Sequence, residues 1–432
     1  MQSMVIILVF IIGYLFITLE NIVSLNKIIP SLIMASICWS LIMFWRPQIF
    51  ELDHNKQLFN CSTSFDKYHY LLLHSLGKAS EIIFFLIGAM SIISIIDIFS
   101  GFEALRELFS NHTKRKFLWI ITFLSFFLSA IIDNLTATIV MVSLLRKIIY
   151  DYKERLYYLG FVIISSNAGG VWSPIGDITT TMLWISEKVT TINLIKEIFI
   201  PSFLCMFFST LLGSRMSIFN GFIQVKETQL SQLDLKRGFF LLNVGLSLML
   251  FVPILKTLIG VPPYMGMLLS LGIFFIIITL LNFKKSFSID EVFRKIDLSS
   301  VLFFLGILLS VSALESLGIL YNLSHWIMEI VFTWKLTAFI FGLISSIIDN
   351  VPLVAATISM FSYPIDHEFW NYIAYVSGTG GSLLIIGSAS GVAAMGMEKI
   401  DFLWYLKKIS WIALIGYFSG FFYLLIKSIF LE

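Results

Sequence analysis

The sequence predicts an all-α polytopic membrane protein built from two inverted-topology repeats, and three observations carry that reading. Of its 432 residues 58% are hydrophobic and only 13% charged, with a mean hydropathy of +0.91, well beyond soluble composition. The tetrapeptide Ile-Ile-Asp-Asn occurs twice, at Ile131–Asn134 and Ile347–Asn350, half the chain apart. Each copy follows a serine and sits in nearly pure hydrocarbon, where a carboxylate is costly and a functional site is the default reading. Two other apolar regions are interrupted by glycine-rich polar centres. Irregular backbone at membrane depth is tolerated only where it lines a cavity or is buried in protein.

Apolar runs long enough to cross about 30 Å of hydrocarbon fall near residues 4–19, 28–45, 81–99, 198–213, 239–259, 264–282, 298–318 and 409–427. The first has no basic n-region and no small-residue cleavage site, so it reads as a mature helix rather than a signal peptide. Residues 117–145 and 326–360 carry the Asp-Asn elements at their middles. Residues 157–186 and 371–396 are discontinuous helices. One breaks at Asn167-Ala168-Gly169-Gly170-Val171-Trp172-Ser173-Pro174-Ile175-Gly176-Asp177, the other at Ser377-Gly378-Thr379-Gly380-Gly381 through Gly387-Ser388.

Lysine and arginine placement orients these elements. Segment 117–145 is flanked by Lys114, Arg115 and Lys116 on one side and by Arg146, Lys147, Lys153 and Arg155 on the other. Both of its ends are therefore cytoplasmic, and the segment reads as a re-entrant hairpin with Asp133 and Asn134 at its tip. Segment 326–360 has only Lys335 near its ends, which places both outside. A hairpin from each face is what an inverted repeat requires. Loops 213–238, 283–297 and 397–408 are basic and come out cytoplasmic. Loop 46–79 fits less well, because the repeat puts it outside although it carries Arg46, Lys56, Lys67 and Lys78. The organisation expected is a first repeat over 1–213, a cytoplasmic linker over 214–238 and a second repeat over 239–432. That makes about ten crossings plus two hairpins.

Candidate site residues follow from the same logic. Asp133 and Asp349 are the expected cation and proton ligands, with Asn134 and Asn350 supplying carbonyls or bracing the tips. Ser129, Thr136 and Ser345 offer hydroxyl oxygens, although such groups often bond their own helix. Asn167, Gly169, Gly170 and Ser173 form the opposing unwound segment, and Ser377, Thr379, Gly380, Gly381 and Ser388 are their second-half equivalents. Asp177 is either an N-cap for the helix starting at Ile178 or a second proton carrier. His74 and Glu81 stand two helical turns apart on one face, as an interfacial pair or as a pH-sensing or proton-access pair. Glu20, Asp97, Glu315 and Glu398 fall at helix ends, where charges are ordinary.

At these residues the chain resembles a known family. Ser129–Asn134, Ser166–Trp184, Asp349–Ala356 and Gly387–Gly396 are similar to NhaD-type sodium/proton antiporters of the ion transporter superfamily, over roughly residues 80 to 427. The resemblance implies sodium and proton as cargo, with lithium as a further candidate, a multi-pass location in the cytoplasmic (inner) membrane, and a homodimer. It implies no cofactor. The superfamily also holds sodium-coupled dicarboxylate carriers, whose hairpin tips are neutral Ser-Asn-Thr; here Asp133 and Asp349 replace the serine. An anionic tip attracts a hard cation and repels a dicarboxylate. Desolvation penalises the charged form, so proton and sodium compete for one carboxylate.

Other classes fit poorly. No segment is polar enough for an ATPase module, and no basic run looks like a nucleic-acid surface. Cys38, Cys61 and Cys205 lack the spacing of a metal site or a disulfide framework. A sodium-coupled anion carrier of the same fold is the nearest alternative. An intramembrane aspartyl protease also needs two embedded aspartates, but neither Asp133 nor Asp349 follows a tyrosine. A passive channel would not need two opposed hairpins.

Overall fold

Long runs of isoleucine, leucine and phenylalanine can satisfy their backbone in hydrocarbon only by forming helices, and helices dominate the computed structural model. It describes residues 2–18, 25–52, 58–60, 65–102, 113–223, 232–281, 288–331, 333–347 and 350–431. Asp349, Glu20, Cys61, Lys56, Lys226, Lys284 and Lys285 lie outside the described residues.

Helices α1 (Gln2–Thr18) and α2 (Ile28–Trp45) precede a short hairpin of β1 (Phe50–Leu52) and β2 (Leu58–Asn60). Then come α3 (Phe65–Ile98), α4 (Lys114–Ile132), α5 (Asn134–Ile148), α6 (Tyr152–Gly170), α7 (Ile178–Ile185) and α8 (Thr191–Ser214). The second half holds α9 (Gln232–Ile259), α10 (Pro263–Leu281), α11 (Ile289–Arg294), α12 (Leu298–Ser316), α13 (Ile319–Val331), α14 (Trp334–Ser345) and α15 (Asn350–Met360). It ends with α16 (Glu368–Gly380), α17 (Ala389–Glu398), α18 (Phe402–Lys408) and α19 (Ser410–Leu431). Among the described residues eight helices are long and apolar enough to cross a membrane. The protein is a multi-pass helical membrane protein.

Two boundaries differ from the sequence reading. Residues 65–79, the end of the loop read over 46–79, are the first turns of α3, and His74 and Glu81 share that 34-residue helix as their two-turn spacing implied. Their polar residues had masked a helix that begins before the apolar run does. Residues 326–331 belong to α13, which meets α14 at 110°, so the limb leading into the second Asp-Asn element starts only at Trp334.

Helix starts are set by side-chain caps. Thr113, Asp151, Thr190 and Asp401 each accept a backbone N–H from the first turn of the helix that follows, satisfying donors that have no partner inside the helix. Packing then sorts the helices. α4 lies on α6, α14 on α16, and α8 on α19, while α2 lies on α12 and α3 on α10. Tyr405 and Trp39 are buried with their polar atoms paired. Tyr405 Oη donates to Ser382 O at 2.9 Å, and Trp39 Nε1 donates to Leu309 O at 2.8 Å.

The interrupted helices of the two halves are packed by matching contacts. A Cβ on Gly169 would sit 2.1 Å from Phe126 O, and one on Gly380 would sit 2.3 Å from Gly342 O. These two glycines allow α6 and α16 to touch the backbones of α4 and α14. Gly169→Ala and Gly380→Ala are each expected to lose about 1–3 kcal/mol through forced separation, seen as a lower Tm in detergent. Gly77→Ala and Gly272→Ala, inside helices where a Cβ meets open space, should not lower Tm, because alanine is the better helix former.

Candidate functional site

The break between α4 and α5 is a single residue. Asp133 has φ 73° and ψ 157°, a region comfortable for glycine and strained by about 1–3 kcal/mol for other residues. The chain places a carboxylate there, and that carboxylate holds the turn. Oδ1 accepts from Thr136 N at 2.8 Å and Oδ2 from Thr136 Oγ1 at 2.9 Å. Asp133 thus caps α5, where the positive end of the helix dipole favours the negative charge.

Asp177 does the same for α7. Its Oδ1 accepts from both Thr179 N and Thr179 Oγ1 at 2.9 Å. Its Oδ2 accepts from Asn134 Nδ2 at 2.7 Å, and the same amide donates to Asn167 Oδ1 at 3.2 Å. Asp177 is therefore both a cap and a member of a buried network. Asp133 and Asp177 are close enough for their charges to repel, a repulsion that a bound cation or proton relieves.

Asn167 carries the network across to the second half. Its Nδ2 donates to Ser388 Oγ at 2.9 Å, and its Oδ1 accepts from Ser390 Oγ at 2.6 Å. The two serine hydroxyls lie 2.9 Å apart. Asn134, Asn167, Asp177, Ser388 and Ser390 are all buried. The result is a centre rich in oxygen at the ends of broken helices. Hard cations take oxygen ligands, and the C-termini of α4 and α6 add partial negative charge.

The other predicted residues divide. Ser129 Oγ donates to Ser166 O at 2.5 Å, and Ser345 Oγ donates to Ser377 O at 2.6 Å, so these serines join corresponding helix pairs. Gly170 and Gly381 bring their chains against the carbonyls of Gly176 and Gly387. Ser173 Oγ accepts from Ile175 N within the unwound turn. Ser377 and Thr379 donate to Ala374 O and Tyr375 O of their own helix, and so do not join the network through those bonds. Asn350 is buried at the start of α15, while Asp349 lies outside the described residues.

His74 and Glu81 are elsewhere. They line a cavity of about 760 Å³ with Lys78, Glu187 and Glu315, and none of the five network residues lines it. Within α3, His74 stacks on Tyr70.

Sequence reasoning missed Ser390, Thr179, Ser166 and Thr138, whose hydroxyl lies 2.8 Å from that of Ser166. The signal for Thr179 was its place two residues after a capping aspartate. The signal for Ser390 was the same spacing after Ser388. Glu398, taken as an ordinary helix-end charge, is buried between Arg146 and Arg155.

Known proteins are similar to this chain in sequence over most of its length. The family profile described as citrate transporter matches residues 1–380. The chain is 42% identical over 429 residues to sodium/proton antiporter 1 of Arabidopsis thaliana, spanning 97% of this chain and 71% of that protein. It is 40% identical over 423 residues to sodium/proton antiporter 2 of the same plant, spanning 96% and 97%. It is 30% identical over 453 residues to the Na(+)/H(+) antiporter NhaD of Vibrio cholerae serotype O1, spanning 95% and 88%. The chain belongs to the citrate-transporter family, among its NhaD-type sodium/proton antiporters.

Proposed function

We propose that this protein is a secondary active antiporter that exchanges cytoplasmic sodium for external protons by alternating access in the cytoplasmic membrane, serving sodium and pH homeostasis. The observation that carries the reading is the buried network. Asp177 accepts from Asn134, the residue after Asp133 at the helix break; the same amide reaches Asn167, which bonds Ser388 and Ser390 of the second half. The names of the relatives point the same way.

In this reading Asp133 and Asp349 hold the cation or the proton, and Asn134 and Asn350 support them. Asn167, Ser388 and Ser390 supply neutral oxygens. The two Asp-Asn elements are tips of re-entrant hairpins from opposite faces, within halves 1–213 and 239–432 related as inverted repeats. The matched bonds of Ser129 and Ser345, and the matched packing of Gly169 and Gly380, support that relation.

A carboxylate anion is the second reading, raised by the description of the family profile. The pair Asp133 and Asp177 disfavours it, since an anion placed beside them meets repulsion at low dielectric. Proteoliposome exchange decides between the two. A sodium gradient is expected to move protons, and lithium, potassium, succinate and citrate are tested in parallel.

Replacing Asp133 or Asp349 with asparagine should abolish sodium-driven proton movement while the protein still folds. At position 133 asparagine keeps an oxygen for Thr136 N and tolerates positive φ better than most residues. Exchange at the unaltered rate in either variant would remove that aspartate from the mechanism.

Single cysteines placed beside 117–145 should react from the cytoplasm, and those beside 326–360 from outside, after Cys38, Cys61 and Cys205 are replaced. Labelling of both pairs from the same side would refute the inverted repeat.

Half-saturating sodium should rise as pH falls from 9 to 6, because protonation removes the charge that the ion needs. Displacement of one proton gives a rise of up to about tenfold per pH unit. A flat constant with a falling maximal rate would instead place the pH response at a separate group, with His74 tested first.

A further inference from the structure

Three helices bring the two halves together at the network, and the same three are tied a second time at their far ends. α5 carries Asn134, α6 carries Asn167, and α17 carries Ser390 with Ser388 as its cap. Glu398 is the last residue of α17. Arg146 lies twelve residues beyond Asn134 on α5, and Arg155 twelve residues before Asn167 on α6. Both arginines are thus about 18 Å along the helix axis from the network.

There the Glu398 carboxylate, its side chain 2% exposed, accepts from Arg146 Nε through Oε1 and from Arg155 Nε through Oε2, the latter at 2.9 Å. Arg146 Nη2 also donates to Met397 O, and Tyr152 Oη donates to Glu398 O at 2.8 Å. Arg155 Nη1 anchors itself on Ile149 O at 2.9 Å. First-half donors therefore hold both the last side chain and the last carbonyls of α17, and their charge suits a helix C-terminus.

Resting on the antiport reading above, we propose that Glu398, Arg146 and Arg155 form a positioning cluster for the ion site. α17 is only ten residues long. Fixed at Ser388 alone, it could rock and rotate against α5 and α6. Fixed at both ends, it keeps Ser388 and Ser390 within bonding distance of Asn167. The cluster sets sodium affinity without touching the ion, as partners behind the ligands of a metal site do.

The test measures sodium binding and exchange separately. Binding is read as the sodium concentration that half-maximally raises Tm in detergent, and exchange as half-saturating sodium and maximal rate in proteoliposomes. Glu398→Gln keeps the shape and removes the charge. It should raise both sodium constants about tenfold while the maximal rate stays within about twofold. Arg155→Ala should match it. Arg146→Ala should do less, because that side chain is 45% exposed and water can replace it. Unchanged sodium constants in Glu398→Gln overturn the proposal.

Arg146→Cys with Glu398→Cys, in a chain freed of its native cysteines, supplies a second arm that does not depend on Glu398→Gln folding. Bridging the pair with a bifunctional thiol reagent should restore sodium affinity and allow exchange to continue. A bridge that stops exchange would mean that the contact must open in each cycle, which overturns a fixed positioning role. An unaltered protein that binds sodium without exchanging it sinks the antiport reading and leaves the cluster to be judged by the binding constants. An unaltered protein whose Tm ignores sodium overturns both.

Discussion

A helix break and a carboxylate are each costly in an apolar interior, and in this protein each stabilises the other. A helix that starts in hydrocarbon leaves backbone N–H groups without partners. A carboxylate there lacks the donors that water would provide. Asp133 at the start of α5 and Asp177 at the start of α7 answer both needs at once, accepting from Thr136 and Thr179. The rest of the site depends on this pairing. It fixes where the helices break, and so which backbone carbonyls and amide side chains face one another. The strained φ of Asp133 indicates that the carboxylate is held there against the backbone's own preference.

The two halves correspond closely in packing and differ in chemistry. Gly176 and Gly387 both approach backbone carbonyls of the neighbouring helix, at Ser129 and at Ser345 and Ser346. Yet the cap that is Asp177 in the first half is Ser388 in the second, and the position matching Asn167 is Gly378. The last difference has a steric cause. A Cβ on Gly378 would lie 2.1 Å from Val171 Cγ1 and 3.3 Å from Asp177 Oδ2, so Asp177 and its neighbours occupy the space that a second asparagine would need. Among the described residues the packing is thus symmetric, while the cap that carries charge, Asp177, belongs to the first half alone.

How much of this the sequence revealed depends on how local each cause is. Hydropathy marked the long helices, because hydrocarbon leaves few alternatives to a helix. Glycine pairs marked the breaks, since only glycine permits the approach seen at Gly169 and Gly380. Asp177 was legible as a cap because Thr179 lies two residues away. The bonds of Asn167 to Ser388 and Ser390 were not legible, for they join residues far apart in the chain and any buried serine would have looked the same. Glu398 was misread for that reason: its partners Arg146 and Arg155 belong to the other half. The early start of α3 was hidden by the polar turns that carry His74.

Coupling follows from the charge at this centre. On the antiport reading, an empty site leaves the Asp133 and Asp177 charges uncompensated among apolar helices, and carrying them across the low-dielectric middle of the membrane raises their desolvation penalty. Sodium or a proton offsets part of that charge and lowers the penalty, so the loaded forms cross more readily than the empty one. An equilibrium responds only to a difference in binding free energy between states, and here the difference is electrostatic. The same carboxylates must therefore release one cation before accepting the other. That requirement turns two separate movements into an exchange. A neutral hydroxyl such as that of Ser388 could coordinate sodium but could not enforce the rule, because its charge does not change when the ion leaves.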